Sequence, residues 1–254
     1  GGSRGIGKAI AEKLLSEGLN LAFCARNEKD VASCIQQWQT QFPHQKVAGF
    51  IVDLSKKESV IQFAKDAFHA LGNIEVLINN AGAGQTGPIA DVPIDRVRHL
   101  FEVNVFGTLA ITQAVLPQMV ARGSGRIIVM SSVAGVMSGP SFGPYSMTKH
   151  ALEAMGKALR AEIAGQGIDV TLINPGPYNT GFNDRMADSM WEWFDDSAVN
   201  APAKEIHKMV GQMVTTNQMD PAEVVQRLVE LVEAETTTEN NFIFSFRMSG
   251  ISES

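Results

Sequence analysis

The 254-residue sequence has few cysteines, few tyrosines and no excess of basic residues. Its two cysteines, Cys24 and Cys34, lack the spacing of a metal or redox site, so we interpret them as packing residues with inert thiols. The net charge of −6 leaves no basic stripe for nucleic acid. No apolar run approaches the ~18 residues of a membrane span, and the five histidines do not recur at ligand spacing. We therefore expect a soluble, cytoplasmic protein without metal, nucleic-acid or membrane partners.

Short β-branched and apolar runs alternate with stretches of helical period along the chain. The predicted strands are NLAFCA (20–25), VAGFIV (47–52), EVLIN (75–79), RIIVMS (126–131), IDVTLI (168–173) and NFIFSF (241–246). Continuous apolar runs are typical of buried parallel strands, and the alternation predicts an α/β fold with a doubly wound parallel sheet. We see no linker between domains, so residues 1–254 are predicted to form a single domain.

The chain opens with GGSRGIG, in which Gly1, Gly5 and Gly7 run directly into an amphipathic helix predicted over residues 6–17. Glycines permit positive φ and close backbone approach, and the N–H groups at a helix start can receive a pyrophosphate. Taken alone, the loop fits a nucleotide site and a structural turn equally well.

The NLAFCA strand (20–25) ends at Ala25-Arg26, without a carboxylate until Glu28. In dinucleotide-binding folds an acid at this point binds the ribose 2′-hydroxyl, whereas an arginine accommodates a 2′-phosphate. Arg26, with Arg4 from the opening loop, therefore favours NADP(H) over NAD(H). The alternative is a pair of solvated arginines.

Polar residues also follow the next two strands. Asp53 directly follows the VAGFIV strand (47–52). It could accept a hydrogen bond from an adenine amino group, or start the turn into a helix with a Ser55–Glu58 capping box. The motif INNAG (78–82) ends the EVLIN strand, and its Ala81 and Gly82 would let a cofactor approach closely. Asn104 stands in a mainly apolar helix, and from the residues alone we interpret it as structural.

Chemistry concentrates in the segment that surrounds Tyr145 and Lys149. These two residues stand at i and i+4 of a predicted helix and share one face. A nearby ammonium favours the phenolate, so the pair would make a general acid or base. Ser132, at the end of a predicted strand, could hydrogen-bond a carbonyl oxygen beside that phenol. A surface Tyr/Lys pair beside an ordinary serine is the alternative.

Residues 183–220 form a long insertion between the IDVTLI strand (168–173) and the next helix, and we predict that they form a substrate lid. Its methionines and aromatic side chains would suit an apolar substrate, a neighbouring subunit or the core. Pro175 and Gly176 turn the chain immediately before it, at the sheet edge where ligands bind.

Six motifs thus follow one another in a fixed order: GGSRGIG, NNAG at 79–82, Asn104, Ser132, Tyr145-x-x-x-Lys149 and Pro175-Gly176. In this order they resemble the short-chain dehydrogenase/reductase family over the whole chain. The resemblance implies a Rossmann fold. It also aligns Gly1, Gly5 and Gly7 with the family's glycines, so we expect the family's first strand to lie upstream of Gly1.

The resemblance also implies roles for individual residues. Tyr145 would donate or accept the proton, Lys149 would hold the nicotinamide ribose and lower the pKa of Tyr145, and Ser132 would polarise the carbonyl. Asn104 would complete a proton relay at a helix distortion that holds a water. The implied cofactor contacts are Gly1, Ser3, Arg4, Gly5, Ile6, Arg26, Asp53, Leu54, Asn80, Ala81, Gly82, Tyr145, Lys149, Pro175, Gly176, Tyr178 and Thr180.

We therefore predict an NADP(H)-dependent oxidoreductase that acts on a ketone or secondary alcohol of largely apolar character. The alternatives are a reductase of 3-oxoacyl thioesters on an acyl carrier protein and a regulator that senses NADP(H) without turnover. The acidic segment 184–196 lacks the basic dock that an acidic carrier protein needs. Apolar positions spread around the helices predicted over 94–121 and 144–165 predict a homotetramer or homodimer.

Overall fold

The computed structural model describes residues 1–195, 197–234 and 243–245. Parallel strands alternate with helices through most of this part of the chain. The strands are β1 (Leu21–Ala25), β2 (Val47–Ile51), β3 (Val76–Asn79), β4 (Gly125–Met130), β5 (Ile168–Pro175) and β6 (Ile243–Ser245). The helices are α1 (Gly5–Ser16), α2 (Glu28–Gln41), α3 (Lys57–Leu71), α4 (Ile94–Phe101), α5 (Gly107–Arg122), α6 (Gly143–Glu162), α7 (Phe182–Asp188), α8 (Ala203–Thr216) and α9 (Ala222–Glu233).

All strand pairs in the described residues are parallel, as the sequence predicts. β1 pairs with β2 in one sheet, and β3, β4, β5 and β6 follow one another in the second. The register places Asn79 beside Val129 and Met130 beside Ile173. The carboxyl ends of β3, β4 and β5 therefore meet at one edge, where ligands bind in folds of this kind.

The first two residues lie between the two sheets. The Gly2 N–H donates to the Cys24 carbonyl over 3.0 Å, and the Asn80 amide donates to the Gly1 carbonyl over 3.2 Å. These contacts tie the end of β1 to the end of β3 through the opening loop.

Helices cover both faces of the larger sheet because its strands are apolar on both. Ile128 and Ile173 pack in a buried cluster with α1 and α9, whereas their neighbours Ile127 and Leu172 pack in a second cluster with α3, α5 and α6. Since successive strand residues point to opposite faces, the two clusters lie on opposite sides of the sheet. This is the α/β arrangement of a Rossmann fold.

Cys34 lies in a third buried cluster, which surrounds Trp38. Both cysteines are free thiols, and burial raises the pKa of the Cys34 thiol. Cys34 is therefore a packing residue, as expected.

The capping box predicted before α3 is wrong. Lys56 occupies the cap position, because the Ser55 hydroxyl donates instead to Asp53 Oδ1 over 2.6 Å. At the other end Gly72 occupies the C-cap position of α3, with φ of 85°.

One helical run is more apolar than the sequence analysis predicts. The 29 residues Ile94–Arg122 include an 18-residue window with mean hydropathy 1.3, which suffices by length and composition to cross a membrane. Val115 and Met119 of this run are fully buried between the sheet and its neighbouring helices. Its apolar character therefore serves at least in part to cover the sheet.

Candidate active site

A cleft of about 1190 Å³ opens at the carboxyl ends of the strands. The structure places on it every residue that the resemblance proposes as a cofactor contact, and also Ser132. These residues come from loops that are more than a hundred positions apart in sequence. The two parallel sheets bring them together, because the loops after β1 and β2 of one sheet and after β3, β4 and β5 of the other line the same cleft.

The opening loop of the cleft requires its glycines for two separate reasons. Gly5 has φ of 55°, a conformation that side chains disfavour. Gly7 has no room for a side chain, since a Cβ there would lie 1.9 Å from the Gly1 carbonyl oxygen and 2.6 Å from the Asn80 amide nitrogen. The start of α1 therefore packs directly against the first residue and the end of β3, which forms the kind of cradle that a pyrophosphate fits.

The two arginines proposed for a 2′-phosphate have different surroundings. Arg4 makes a two-bond ion pair with Asp30, of 2.7 Å from Nε and 3.1 Å from Nη2. Arg26 is exposed at the end of β1, and no residue in the described part of the chain forms an ion pair with it. Arg26 is thus the free guanidinium at this end of the cleft.

Asp53 has the turn role that the sequence allowed. Its Oδ1 accepts from both the N–H and the hydroxyl of Ser55, over 3.0 and 2.6 Å. These hydrogen bonds hold the pKa of the Asp53 carboxyl below its usual value. Asp53 also lines the cleft, so its contact with an adenine amino group stays a prediction.

Asn104 lies in a π-helical turn, Glu102–Phe106, between α4 and α5. Its side chain is 1% exposed and uses both polar atoms. Oδ1 accepts from the Ala83 N–H over 2.7 Å, and Nδ2 donates to the Ala83 carbonyl and to Thr148 Oγ1 over 2.9 and 3.1 Å. Asn104 therefore fixes the loop after β3 to the helix that carries Tyr145. The distorted helix implied by the resemblance is present.

Ser132, Tyr145 and Lys149 converge on one wall of the cleft. The Lys149 ammonium donates to the Met130 carbonyl at the end of β4 over 2.8 Å, and lies 5.6 Å from the centre of the Tyr145 ring. Ser132 Oγ accepts from the Ala134 N–H over 3.1 Å. That bond uses a lone pair of the hydroxyl, so the Ser132 hydrogen remains available for a second oxygen.

Burial controls the protonation of this wall. It raises the pKa of the Tyr145 phenol above its ordinary value, and a hydrogen bond with Ser132 opposes the shift only in part. It also lowers the pKa of Lys149 to about 8, against the opposing charge of Glu153. In these surroundings desolvation favours the protonated phenol, and the lowering of its pKa by Lys149 stays a prediction.

The sequence analysis does not predict the buried polar network that lies behind this wall. Asn174, fully buried on β5, donates from Nδ2 to the Ser132 carbonyl over 3.0 Å and to Glu153 Oε1 over 2.6 Å. Glu153 is 3% exposed on α6, and its Oε2 lies 3.2 Å from Lys157 Nζ. The signal in the sequence was a carboxylate four residues after Lys149 on the same helical face. The network ties the backbone of Ser132 to α6.

The insertion at 183–220 folds over the cleft as α7, a short 3-10 turn (Ser189–Glu192) and α8. Met190 is fully buried, which fits the core interpretation, whereas Trp191 is partly exposed against His207. Met186, Met213 and Val214 line the cleft. The Phe182 ring, one residue before the insertion, lies 6.0 Å from the Tyr145 ring, centre to centre, so α7 begins beside the phenol.

The comparison with known proteins agrees with this geometry. Residues 1–191 match the family model for short chain dehydrogenases. The chain belongs to this family. Over 191 residues it is 36% identical to dehydrogenase/reductase SDR family member 7B of Xenopus laevis, covering 72% of the chain and 58% of that protein. Over 186 residues it is 39% identical to an NADPH-dependent 3-dehydrocapnine reductase of Ornithobacterium rhinotracheale, covering 71% and 64%. The chain thus matches less than two thirds of the length of these relatives.

Solved structures of short-chain dehydrogenases share the fold over nearly the whole chain. One from Streptomyces avermitilis has a TM-score of 0.79 at 30% identity, covering 93% of this chain and 83% of that one. L-sorbose reductase of Gluconobacter frateurii, solved with NADPH and L-sorbose, has a TM-score of 0.76 at 26% identity, covering 91% and 86%. A Burkholderia phymatum member solved with NAD has a TM-score of 0.79 at 25% identity, covering 92% and 84%. Structures with either cofactor thus resemble the chain.

Proposed function

We propose that the protein is an NADP(H)-dependent oxidoreductase that interconverts a ketone and a secondary alcohol on a largely apolar substrate. The observation that carries this proposal is the buried Tyr145 phenol, held protonated beside the Ser132 hydroxyl and the Lys149 ammonium. An oxidoreductase of this family needs a proton donor at the carbonyl oxygen, and these surroundings keep one available at neutral pH.

Ser132 and Tyr145 would have separate roles at the substrate carbonyl. The Ser132 hydroxyl, which also interacts with the Tyr145 phenol, would donate to the carbonyl oxygen and place it against Tyr145 Oη, from which the proton would transfer as negative charge develops. Asn104 holds the surrounding loop and helix in register, and its place in a proton relay stays part of the proposal. NADP(H), when bound, supplies the hydride chemistry.

The proposed cofactor contacts fit a dinucleotide. The Gly1–Gly7 loop supplies the cradle for phosphates, Lys149 lies where it would reach the nicotinamide ribose, and the Pro175–Thr180 loop closes the same cleft. Arg26, exposed and unpaired among the described residues, supports NADP(H), and the printed name of the Ornithobacterium relative includes NADPH dependence.

The cofactor choice is tested by Arg26→Gln, with Arg4→Gln as its comparison. Loss of a charge-assisted hydrogen bond costs about 1.5–3 kcal/mol, so Arg26→Gln should weaken NADPH binding by about 10- to 100-fold and leave NADH binding unchanged. Arg4 is already occupied by Asp30, so its replacement should have the smaller effect. A wild-type preference for NADH would refute the proposal for NADP(H).

The reaction is tested by Tyr145→Phe with a panel of ketones and NADPH. Loss of a general acid should lower turnover by about 10²–10⁴-fold, while NADPH binding, followed by its fluorescence, stays intact. Unchanged turnover would refute the assignment of Tyr145. Cofactor binding without turnover of any ketone, alcohol or 3-oxoacyl thioester would instead support a non-catalytic sensor.

We also propose that the protein forms a homo-oligomer through α5 and α6. Support comes from exposed apolar side chains on these helices and on the π-helical turn before them, namely Phe106, Val120 and Met147. Met147→Glu should dissociate the assembly without unfolding the protein. Sedimentation velocity at micromolar concentration tests this, and a wild-type monomer would refute it. The cytoplasmic location stays a prediction.

A further inference from the structure

The lid end of the cleft combines apolar side chains with one charged group. Met186, Met213, Val214 and Met219 line it from the insertion, together with Arg185. Arg185 is the only ionisable residue that the described part of this insertion contributes to the cleft. A substrate in this part of the cleft would therefore meet an apolar surface with a single cation on it.

Arg185 lies on the helix that begins beside the reacting wall, and it is exposed. It stands one helical turn after Phe182, whose ring is 6.0 Å from that of Tyr145. Its Nη1 lies 2.9 Å from the position that a Cβ on Gly181 would occupy, so the guanidinium folds back toward Gly181, the residue before α7. Gly181, with φ of 69°, leaves the space that the guanidinium uses.

The guanidinium has no partner among the described residues, although acidic residues surround it in sequence. The neighbouring carboxylates are directed elsewhere. Asp184 accepts from the Gln218 amide over 3.1 Å, and Glu192 binds Arg96 over 2.8 Å. Asp195 accepts from the Ser197 N–H over 2.8 Å. None of these acids lines the cleft, so they do not exclude an anion from it.

We infer that Arg185 binds an anionic group of the substrate, so that the substrate class is an amphiphilic ketone or alcohol that carries a carboxylate, phosphate or sulfonate. The guanidinium suits all three anions because its fork of N–H donors matches their paired oxygens. The apolar surface around it would take the alkyl chain. The ketone part of this inference rests on the proposed function. The anion part rests only on the residues that line the cleft.

Binding is measured without turnover, by calorimetry on the protein saturated with NADP⁺. The probes are decanoate, decyl phosphate and decanesulfonate, which show which anion is preferred, and decanol as the neutral chain. Arg185→Gln should weaken the preferred anion by about tenfold or more and leave decanol unchanged. Arg185→Lys, which keeps the charge, should restore part of the loss. Arg98→Gln, on an exposed arginine of α4 outside the cleft, is the matched control.

Turnover separates this inference from the proposed function. With NADPH, 4-oxodecanoate should be reduced with a higher kcat/KM than its methyl ester, and Arg185→Gln should remove the difference while sparing the ester. Equal kcat/KM for acid and ester, or an equal loss for both in Arg185→Gln, would overturn the inference with the proposed function intact. Anion binding through Arg185 without reduction of any ketone would keep the inference for the anion and refute the proposed function.

Discussion

Replacing Lys149 by methionine should stabilise the folded protein while it removes activity. Lys149 is 6% exposed, and burial lowers its pKa from 10.5 to about 8. That difference corresponds to about 3 kcal/mol by which folding disfavours the charged lysine. The Met130 carbonyl loses its donor in the variant, which costs about 1–2 kcal/mol. We expect Lys149→Met to be about 1–2 kcal/mol more stable than the wild type at pH 7.

The pH dependence of this gain identifies its cause. Below pH 8 the lysine is protonated in both the folded and the unfolded chain, so the penalty for its burial is fully present. Between pH 8 and pH 10.5 the unfolded chain holds a proton that the folded chain lacks, so the wild type gains stability by up to about 1.4 kcal/mol per pH unit relative to the variant. The advantage of Lys149→Met should therefore vanish near pH 9, within about half a unit.

Urea unfolding of the protein without added cofactor, followed by circular dichroism from pH 7 to 9.5, provides the measurement. Lys65→Met, on an exposed lysine of α3, is the matched control and should change the free energy of unfolding by less than about 0.5 kcal/mol. A variant less stable than the wild type at pH 7, or a stability difference that stays constant with pH, would refute the reasoning.

Four further substitutions test the packing and the cleft. Gly211→Ala in α8 should raise the free energy of unfolding by about 0.5–1 kcal/mol, since its Cβ would meet only a neighbouring alanine at 3.6 Å. Gly156→Ala in α6 should lower the free energy of unfolding, because the added Cβ would lie 2.8 Å from the side chain of Leu172. Gly7→Ala should abolish NADPH binding, measured by fluorescence titration, because a Cβ 1.9 Å from the Gly1 carbonyl oxygen would displace the opening loop. Glu153→Gln should lower the pKa of Lys149 further, so the alkaline limb of its pH–rate profile should move to lower pH.

The fold was predictable because the signals that specify it are local. Each predicted strand is a continuous apolar run, and the described part of each forms a parallel strand, because both faces of the sheet are covered by helices. The helix start at Lys57 was harder to place. Ser55 had two possible partners, and it bonds Asp53 rather than capping the helix.

The candidate site was predictable where spacing determines geometry, as for Tyr145 and Lys149 on one helical turn. It was not predictable where partners are distant in sequence. Asp30 holds Arg4 from 26 residues away, which separates two arginines that look equivalent in the sequence. Glu153 and Asn174 meet across 21 residues, and only the packing of α6 on β5 brings them together.

Burial is the property that the spacing of Tyr145 and Lys149 could not reveal, and it changes their chemistry. On an exposed helix the ammonium would favour the phenolate, but here the ammonium is directed to the Met130 carbonyl over 2.8 Å and lies 5.6 Å from the phenol ring centre. Desolvation therefore outweighs the charge and keeps the phenol protonated. A protonated phenol is ready to donate in carbonyl reduction, whereas alcohol oxidation must first remove that proton.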